Sequence, residues 1–190
     1  MRMKDDNKRI AIYHAAMDVV NENGVDNASM STIAKAAGVS SSTIYVYFKN
    51  KVDMINKLYL MAKQESSLAM FSDLSEEMSV EEATKSWMRN LYQYLIENPA
   101  KLSFLEQFHT SPTITEKTRK AGLKYFAPVI DIQQRALHTQ AMKSLPLPLV
   151  RAFTFDPIMS LARTHLQGEY IIDADILEKA LEMSWGSIKE

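Results

Sequence analysis

Apolar residues recur along this chain at intervals of three and four, with no sustained alternation of the kind a strand would need. Ile12, Ala15, Ala16, Val19 and Val20 form one face of a predicted first helix over about 6–23, closed by Gly24. Ser29 is placed to cap a second helix that runs through Ile33, Ala34 and Ala37 to Gly38. A third helix is predicted over 41–48, and a fourth, longer one over 51–74. Ser79 and Glu82 fit a capping box, in which each side chain satisfies an orphan backbone N–H at the start of a helix reaching Asn98. Pro99 suits the first position of the next helix, which ends near Thr110. Thr113 and Glu116 fit a second box, opening a helix to about Ser144 with Pro128 as a kink or break. Residues 145–148 read as a stiff Leu-Pro connector. A helix over 149–166 then bends at Pro157 and ends before Gly168, and Asp173 caps a last one. The expected class is all-α.

Composition narrows this picture. The 190 residues are 46% hydrophobic and 24% charged, enough apolar material for a real core. There is no Cys, which excludes disulfides and thiolate metal sites. The polar start MRMKDDNKRI lacks the apolar stretch of a signal peptide, and no run approaches the roughly 18 apolar residues of a span. A cytoplasmic protein without a membrane partner is expected. Net charge is −1, yet residues 1–60 carry eight Lys/Arg against six Asp/Glu, and the remainder fourteen against seventeen. The slightly basic end is the one that would meet a polyanion.

Three short helices with the tight turn Gly38-Val39-Ser40 between the second and third describe a helix-turn-helix. Gly38 permits a left-handed turn, Val39 pins it, and Ser40 caps the third helix. Small Ala34 and Ala37 let helices cross closely, over a mini-core of Ile33, Ile44 and Phe48. The third helix is polar, with Ser41, Ser42, Thr43, Tyr45 and Tyr47, and is suited to a major groove about 12 Å wide. Lys51 opens the fourth helix, where its charge opposes the helix dipole unless an anion such as a phosphate approaches.

The runs Ile12-Tyr-His-Ala-Ala16, Gly24, Ile33-Ala34, Ala37-Gly38-Val39-Ser40 and Thr43-Ile-Tyr-Val-Tyr-Phe-Lys-Asn-Lys51 resemble the DNA-binding domain of the tetracycline-repressor (TetR) family. The resemblance covers about residues 8–55. It implies an N-terminal helix-turn-helix DNA-binding domain at 1–52, joined by a long helix to a helical ligand-binding and dimerisation domain at 53–190. It also implies a homodimeric repressor on a pseudo-palindromic double-stranded operator, released when a small hydrophobic ligand enters the body, and no cofactor. Carried over by position, Ser41, Ser42, Thr43, Tyr45, Tyr47 and Lys51 would contact DNA. The third helix has no Arg, Lys, Gln or Asn, so base recognition would rest on hydroxyls, thymine-methyl contacts, water and DNA shape.

Beyond Leu58 the chain is rich in aromatics and Met, which either fill a core or line a site for a bulky flat molecule. Tyr59, Lys63, Ser66 and Met70 share one stripe of the fourth helix, and here the chain resembles the multidrug-responsive members of the family. The expected ligand-binding residues are Tyr59, Lys63, Met70, Trp87, Leu91, Tyr94, Phe104, Phe108, Phe126 and Phe155, with Glu106 and Asp156 as candidate partners of a cationic ligand. By the same resemblance the last two helices would form the dimer interface, through Ile158, Leu161, Ala162, His165, Ile176, Leu177, Ala180, Leu181 and Trp185. The four His are isolated, and no phosphate-binding loop, HExxH pair or nucleophile elbow appears, so an enzyme is not expected. The competing expectation is a helical interaction module whose partner is a protein or lipid.

Overall fold

A computed structural model describes residues 2–190, with the side chains of 8–108 and 111–190. His109 therefore lies outside the described side chains. The helices are α1 (Arg2–Asn23), α2 (Met30–Ala36), α3 (Ser41–Tyr47), α4 (Lys51–Met70), α5 (Val80–Glu97), α6 (Pro99–Thr110), α7 (Glu116–Leu123), α8 (Ala127–His138), α9 (Leu147–Leu166) and α10 (Ala174–Ile188). A 3-10 turn, Lys124–Phe126, separates α7 from α8. Among the described residues there is no named strand, only one isolated bridge between Met142 and Lys189. No helix there is long and apolar enough to cross a membrane.

The chain forms two compact units. The first holds residues up to Lys63 together with Ser103–Gly122, and the second holds Gln64–Leu102 and Leu123–Glu190. Both α4 and α6 therefore contribute residues to each unit.

The first unit is built on a core of Ile12, Ala16, Val20, Ile33, Ile44, Phe48, Met54, Ile55 and Leu58. Its local devices follow from single residues. Gly24 takes φ +80° and its N–H returns to Val20 O at 2.8 Å, ending α1. Ser29 accepts from the Thr32 N–H at 3.1 Å and opens α2. Asn56, buried on α4, donates to Thr113 O and accepts from the Thr115 N–H, each at 3.0 Å, fixing the approach to α7. That contact moves the helix start. Thr115, not Thr113, caps α7 by accepting from the Thr118 N–H at 3.2 Å, so the second capping box is not formed.

The second unit packs around α5, whose buried face includes Trp87, Met88, Leu91, Tyr92 and Leu95. Ser79 and Glu82 close the capping box at its start, at 3.1 and 2.9 Å. Val150, Thr154, Ile158 and Ala162 of α9 and Leu177, Leu181, Trp185 and Ile188 of α10 complete the buried set. Pro128 sits at the start of α8 and divides the long helix expected over 116–144. Helix α9 remains one helix past Pro157. Helix α4 stops at Met70, four residues short of expectation. The turn beyond it is held by Asp73, which accepts from Ser86 Oγ at 2.8 Å and Asn90 Nδ2 at 2.6 Å.

Candidate nucleic-acid interface and effector-binding residues

The turn before α3 is set by Gly38, at φ +65°, a region that Gly enters without the Cβ clash other residues meet. The Val39 N–H bonds Ala34 O at 2.9 Å, and Ser40 Oγ accepts from the Thr43 N–H at 3.1 Å. Ile44 and Phe48 anchor α3 and the residue after it in the core. With that face fixed, the opposite one is exposed: Ser42, Tyr45 (57% exposed) and Val46 (77%) fall at i, i+3 and i+4, and Lys49 is exposed in the turn after the helix, beyond the extended Phe48.

The six residues expected at DNA divide on this geometry. Ser41, Ser42 and Tyr45 are exposed. Thr43 is half-buried, and its Oγ1 lies 2.8 Å from Ser40 Oγ, so its hydroxyl belongs to the cap. Tyr47 is half-buried against the core, its ring 6.4 Å from that of Phe48, and its carbonyl accepts from Lys57 at 3.0 Å. Lys51 donates to the Asp26 carbonyl, which offsets the unfavourable placement of its charge at a helix start. Asp53 also answers that dipole, accepting from the Lys49 N–H at 2.9 Å, while Asn50 caps α4 by accepting from the Asp53 N–H at 2.9 Å. Burial alone would raise the Asp53 carboxyl, but the Lys49 N–H and Lys57 outweigh it and hold it below its ordinary range. Val46 was missed in the sequence. The signal was present in the spacing from Ser42, but an apolar residue on a short helix is assigned inward by default.

The ten residues expected at a ligand are divided between the units. Tyr59, Lys63, Phe104 and Phe108 belong to the first. Phe104 and Phe108 are fully buried, with ring centroids 4.2 Å apart, and are joined by Tyr13 and Tyr59 at 6.1 and 6.2 Å. Tyr59 also lies against Gly122, where an added Cβ would come within 2.9 Å of its ring. These rings are packed on one another as core, and Lys63 covers Tyr59 with its Nζ 5.8 Å from the ring centre. Met70, Trp87, Leu91, Tyr94, Phe126 and Phe155 belong to the second unit. Met70, Trp87 and Leu91 are buried, Phe126 packs on Phe71 at 6.0 Å, and Arg151 lies over Phe155.

Tyr94 differs from the rest. Its hydroxyl is buried with no hydrogen-bond partner. Burial, followed by the negative charge of Glu65, pushes its phenol far above the ordinary range, so it is a donor at any physiological pH. Lys101, itself buried, lies over the Tyr94 ring at 5.7 Å and pairs with Glu65. This Lys101–Glu65 pair was not singled out in the sequence, where two charges 36 residues apart carry no periodic signal. Of the acids expected to meet a cation, Glu106 is half-buried, and Asp156 is exposed and paired with Arg151 at 3.1 Å.

Several residues expected at a dimer interface are occupied within the chain. Ile158, Ala162, Leu177, Leu181 and Trp185 are buried in the second unit, and His165 Nδ1 accepts from the Ile172 N–H at 3.2 Å and lies 2.8 Å from Tyr92 Oη. They close the chain's own core because their stripes face α5, a choice the helical period alone does not settle. Leu161, Ile176 and Ala180 are half-buried.

Known proteins share this organisation. Residues 12–58 match the family model of bacterial regulatory proteins of the tetR family, and residues 79–189 match that of the tetracyclin repressor-like C-terminal domain. An uncharacterised helix-turn-helix-type transcriptional regulator of Haemophilus influenzae is 24% identical over 182 residues, 94% of each chain. A TetR family transcription regulator from Marinobacter aquaeolei is 26% identical, with a TM-score of 0.94 over 100% of both chains. The FadR transcriptional regulator of Bacillus subtilis, solved in complex with stearoyl-CoA, shares the fold at 22% identity and a TM-score of 0.74, covering 95% of this chain and 99% of that one. These relatives are regulators, not enzymes. With a DNA-binding helix-turn-helix at one end and the family's C-terminal domain over more than half its length, the chain belongs to the TetR family of transcriptional regulators.

Proposed function

We propose that the protein is a homodimeric repressor that reads its operator with the exposed stripe of α3 and is released by an amphipathic small molecule held in its C-terminal part. The reading keeps the division of labour expected at residues 1–52 and 53–190. The single observation that carries it is the outward stripe Ser42, Tyr45 and Val46, opposite an anchored face, with Lys49 exposed in the turn just after it. Such a stripe is chemically matched to a groove. The Tyr45 phenol and Ser42 hydroxyl can bond base edges or phosphates, Val46 can meet a thymine methyl, and Lys49 can neutralise a phosphate. Ser41 flanks the stripe, while Thr43, Tyr47 and Lys51 act by holding the helix in place.

The ligand reading rests on Tyr94. A buried donor without an acceptor is unusual in a folded chain and calls for a missing partner. A molecule with a long or bulky apolar body and a carbonyl or carboxylate would supply that acceptor, and the stearoyl-CoA bound by the Bacillus regulator makes long-chain acyl thioesters the first compounds to test. Release needs only that the ligand prefer the DNA-free geometry, and a tenfold preference corresponds to about 1.4 kcal/mol of coupling.

The test is a mobility-shift titration against the DNA upstream of the protein's own coding sequence. Tyr45→Ala is expected to weaken binding at least about tenfold, roughly 1.4 kcal/mol, with an unchanged melting curve. Wild-type binding is expected to fall steeply with salt, because binding releases counterions condensed on the phosphates and that release is less favourable in higher salt. Undiminished binding by Tyr45→Ala would remove α3 from the interface.

A further inference from the structure

Helix α3 has seven residues, so its order rests on its packing and on its two ends rather than on its own length. Its start is closed by Ser40. Its end has no comparable local device. Helices α1 and α2 both run out into a left-handed Gly, Gly24 and Gly38, whereas α3 passes directly into the extended Phe48 at φ −134°. The last carbonyls of a helix have no partner within it. In α3, Ile44 O takes the Phe48 N–H at 3.0 Å, and Tyr47 O, the final one, is left for a donor from elsewhere.

Lys57 is that donor. From the second turn of α4, its ammonium donates to Tyr47 O and to Asp53 Oδ2, each at 3.0 Å. It also lies over the Phe48 ring, 5.6 Å from the centroid. The same Asp53 oxygen accepts from the Lys49 N–H at 2.9 Å. Tyr47, Phe48 and Lys49 are thus tied in succession to Lys57 and Asp53, which stand one turn apart on α4. A cation at the C-terminal end of α3 also suits the dipole of that helix. The Lys57 side chain is 47% exposed, so its ion pair with Asp53 adds little to stability. What the arrangement fixes is the direction of the last turn of α3.

We propose that Lys57 is a positioning residue for operator recognition. It holds the last turn of α3, and with it Tyr45 and Val46, at the angle a groove requires, and touches no DNA itself. The proposal rests on the reading of α3 as the helix that meets DNA, and it adds a residue of α4 to that reading. Hydrogen bonds weaken steeply once donor and acceptor are misaligned, so a frayed last turn loses contacts although every contacting side chain is still present.

Two variants separate the roles. Lys57→Met keeps an apolar stem over Phe48 and removes both donated bonds, whereas Lys57→Arg keeps a cation able to donate to both acceptors. Amide exchange in the DNA-free protein reads the local effect. In Lys57→Met the Tyr47 and Phe48 amides are expected to exchange about tenfold faster, with those of α1 and α2 unchanged. Mobility shifts on the upstream DNA read the consequence. Lys57→Met is expected to bind about fivefold more weakly, with the same slope of log affinity against log salt as the wild type. Lys49→Met, which removes a phosphate contact, is expected to reduce that slope by about one. Lys57→Arg is expected to keep both exchange and binding near the wild type. Wild-type affinity in Lys57→Met, where Tyr45→Ala loses binding, overturns the proposal and leaves α3 as the reading helix. Wild-type affinity in both variants overturns the reading of α3 and the proposal together. A salt slope reduced by about one in Lys57→Met makes Lys57 a phosphate contact and also overturns the proposal. So does exchange that quickens equally in α1 and α2, since the loss is then one of general stability.

Discussion

The unsatisfied hydroxyl of Tyr94 makes a sharper prediction than any apolar contact in the second unit. Leaving a buried donor unmade costs about 1–3 kcal/mol, so Tyr94→Phe removes a liability from the ligand-free protein. Its melting temperature is expected to hold or rise. Its response to an acyl thioester, measured as the concentration that releases upstream DNA, is expected to weaken severalfold. A variant that melts lower would mean that the hydroxyl has a structural partner. Ser40 makes the opposite case. Its Oγ accepts from the Thr43 N–H and lies 2.8 Å from both Ser42 Oγ and Thr43 Oγ1, so it organises the start of α3. Ser40→Ala is expected to cost about 1 kcal/mol of stability, visible as a shifted denaturant midpoint, and to weaken DNA binding although Ser40 itself need touch no base.

Helices α5 and α10 are joined by more than apolar packing. Arg89 grips Glu178 through two bonds of 2.7 and 2.8 Å, and Lys85 bridges Glu81 and Glu182. The Arg89 guanidinium holds the Glu178 carboxyl below its ordinary range. A carboxyl lowered on folding adds stability that is fully present above its unfolded value and is lost as pH falls through the folded one. Both partners are substantially exposed, so the pair is worth only about 0.2–1 kcal/mol. Glu178→Gln is therefore expected to lower the melting temperature slightly at neutral pH and to converge with the wild type below pH 4 in thermal melts followed by circular dichroism. Elements of this kind were legible in the sequence only in part. Helix starts marked by Ser29, Ser40, Ser79 and Asp173 lie where their side chains could already be read as caps, since capping is local chemistry. The start of α7 was misplaced because Asn56, 59 residues earlier, captures the Thr115 N–H, and long-range bonds leave no local mark. The same limit explains the site residues. The family resemblance carried Ser42 and Tyr45, which are exposed, together with Thr43 and Tyr47, which are half-buried, and whether Leu177, Leu181 and Trp185 face a partner or α5 depends on tertiary packing that a helical stripe does not encode.

With those residues buried in the chain's own core, the homodimer proposed above would have to form through what remains uncovered on α9 and α10. Leu149 and Phe153, exposed at 39% and 45%, continue through Pro157 to Ser160 and Thr164 on one flank of α9. On α10, Ile176, Ala180 and Met183 (77% exposed) share a stripe. Isolated exposed apolar residues need no explanation, but two such stripes on sequential helices are the candidate for a two-fold interface, which needs about 800 Å² per partner. In that proposed dimer operator recognition would depend on the contact, because one α3 stripe would span only a half-site and tight binding would need two of them in register. Joining two weak half-site contacts raises avidity by about 10²–10⁴ without any new contact to DNA. Phe153→Glu combined with Met183→Glu places a charge on each stripe at exposed positions, where the fold itself tolerates it. The double variant is expected to sediment as a folded monomer where the wild type sediments as a dimer, and to lose at least about a hundredfold in affinity for the upstream DNA. A variant that stays dimeric moves the interface off these stripes, and one that is monomeric yet binds the operator as tightly as before shows that pairing contributes nothing to recognition.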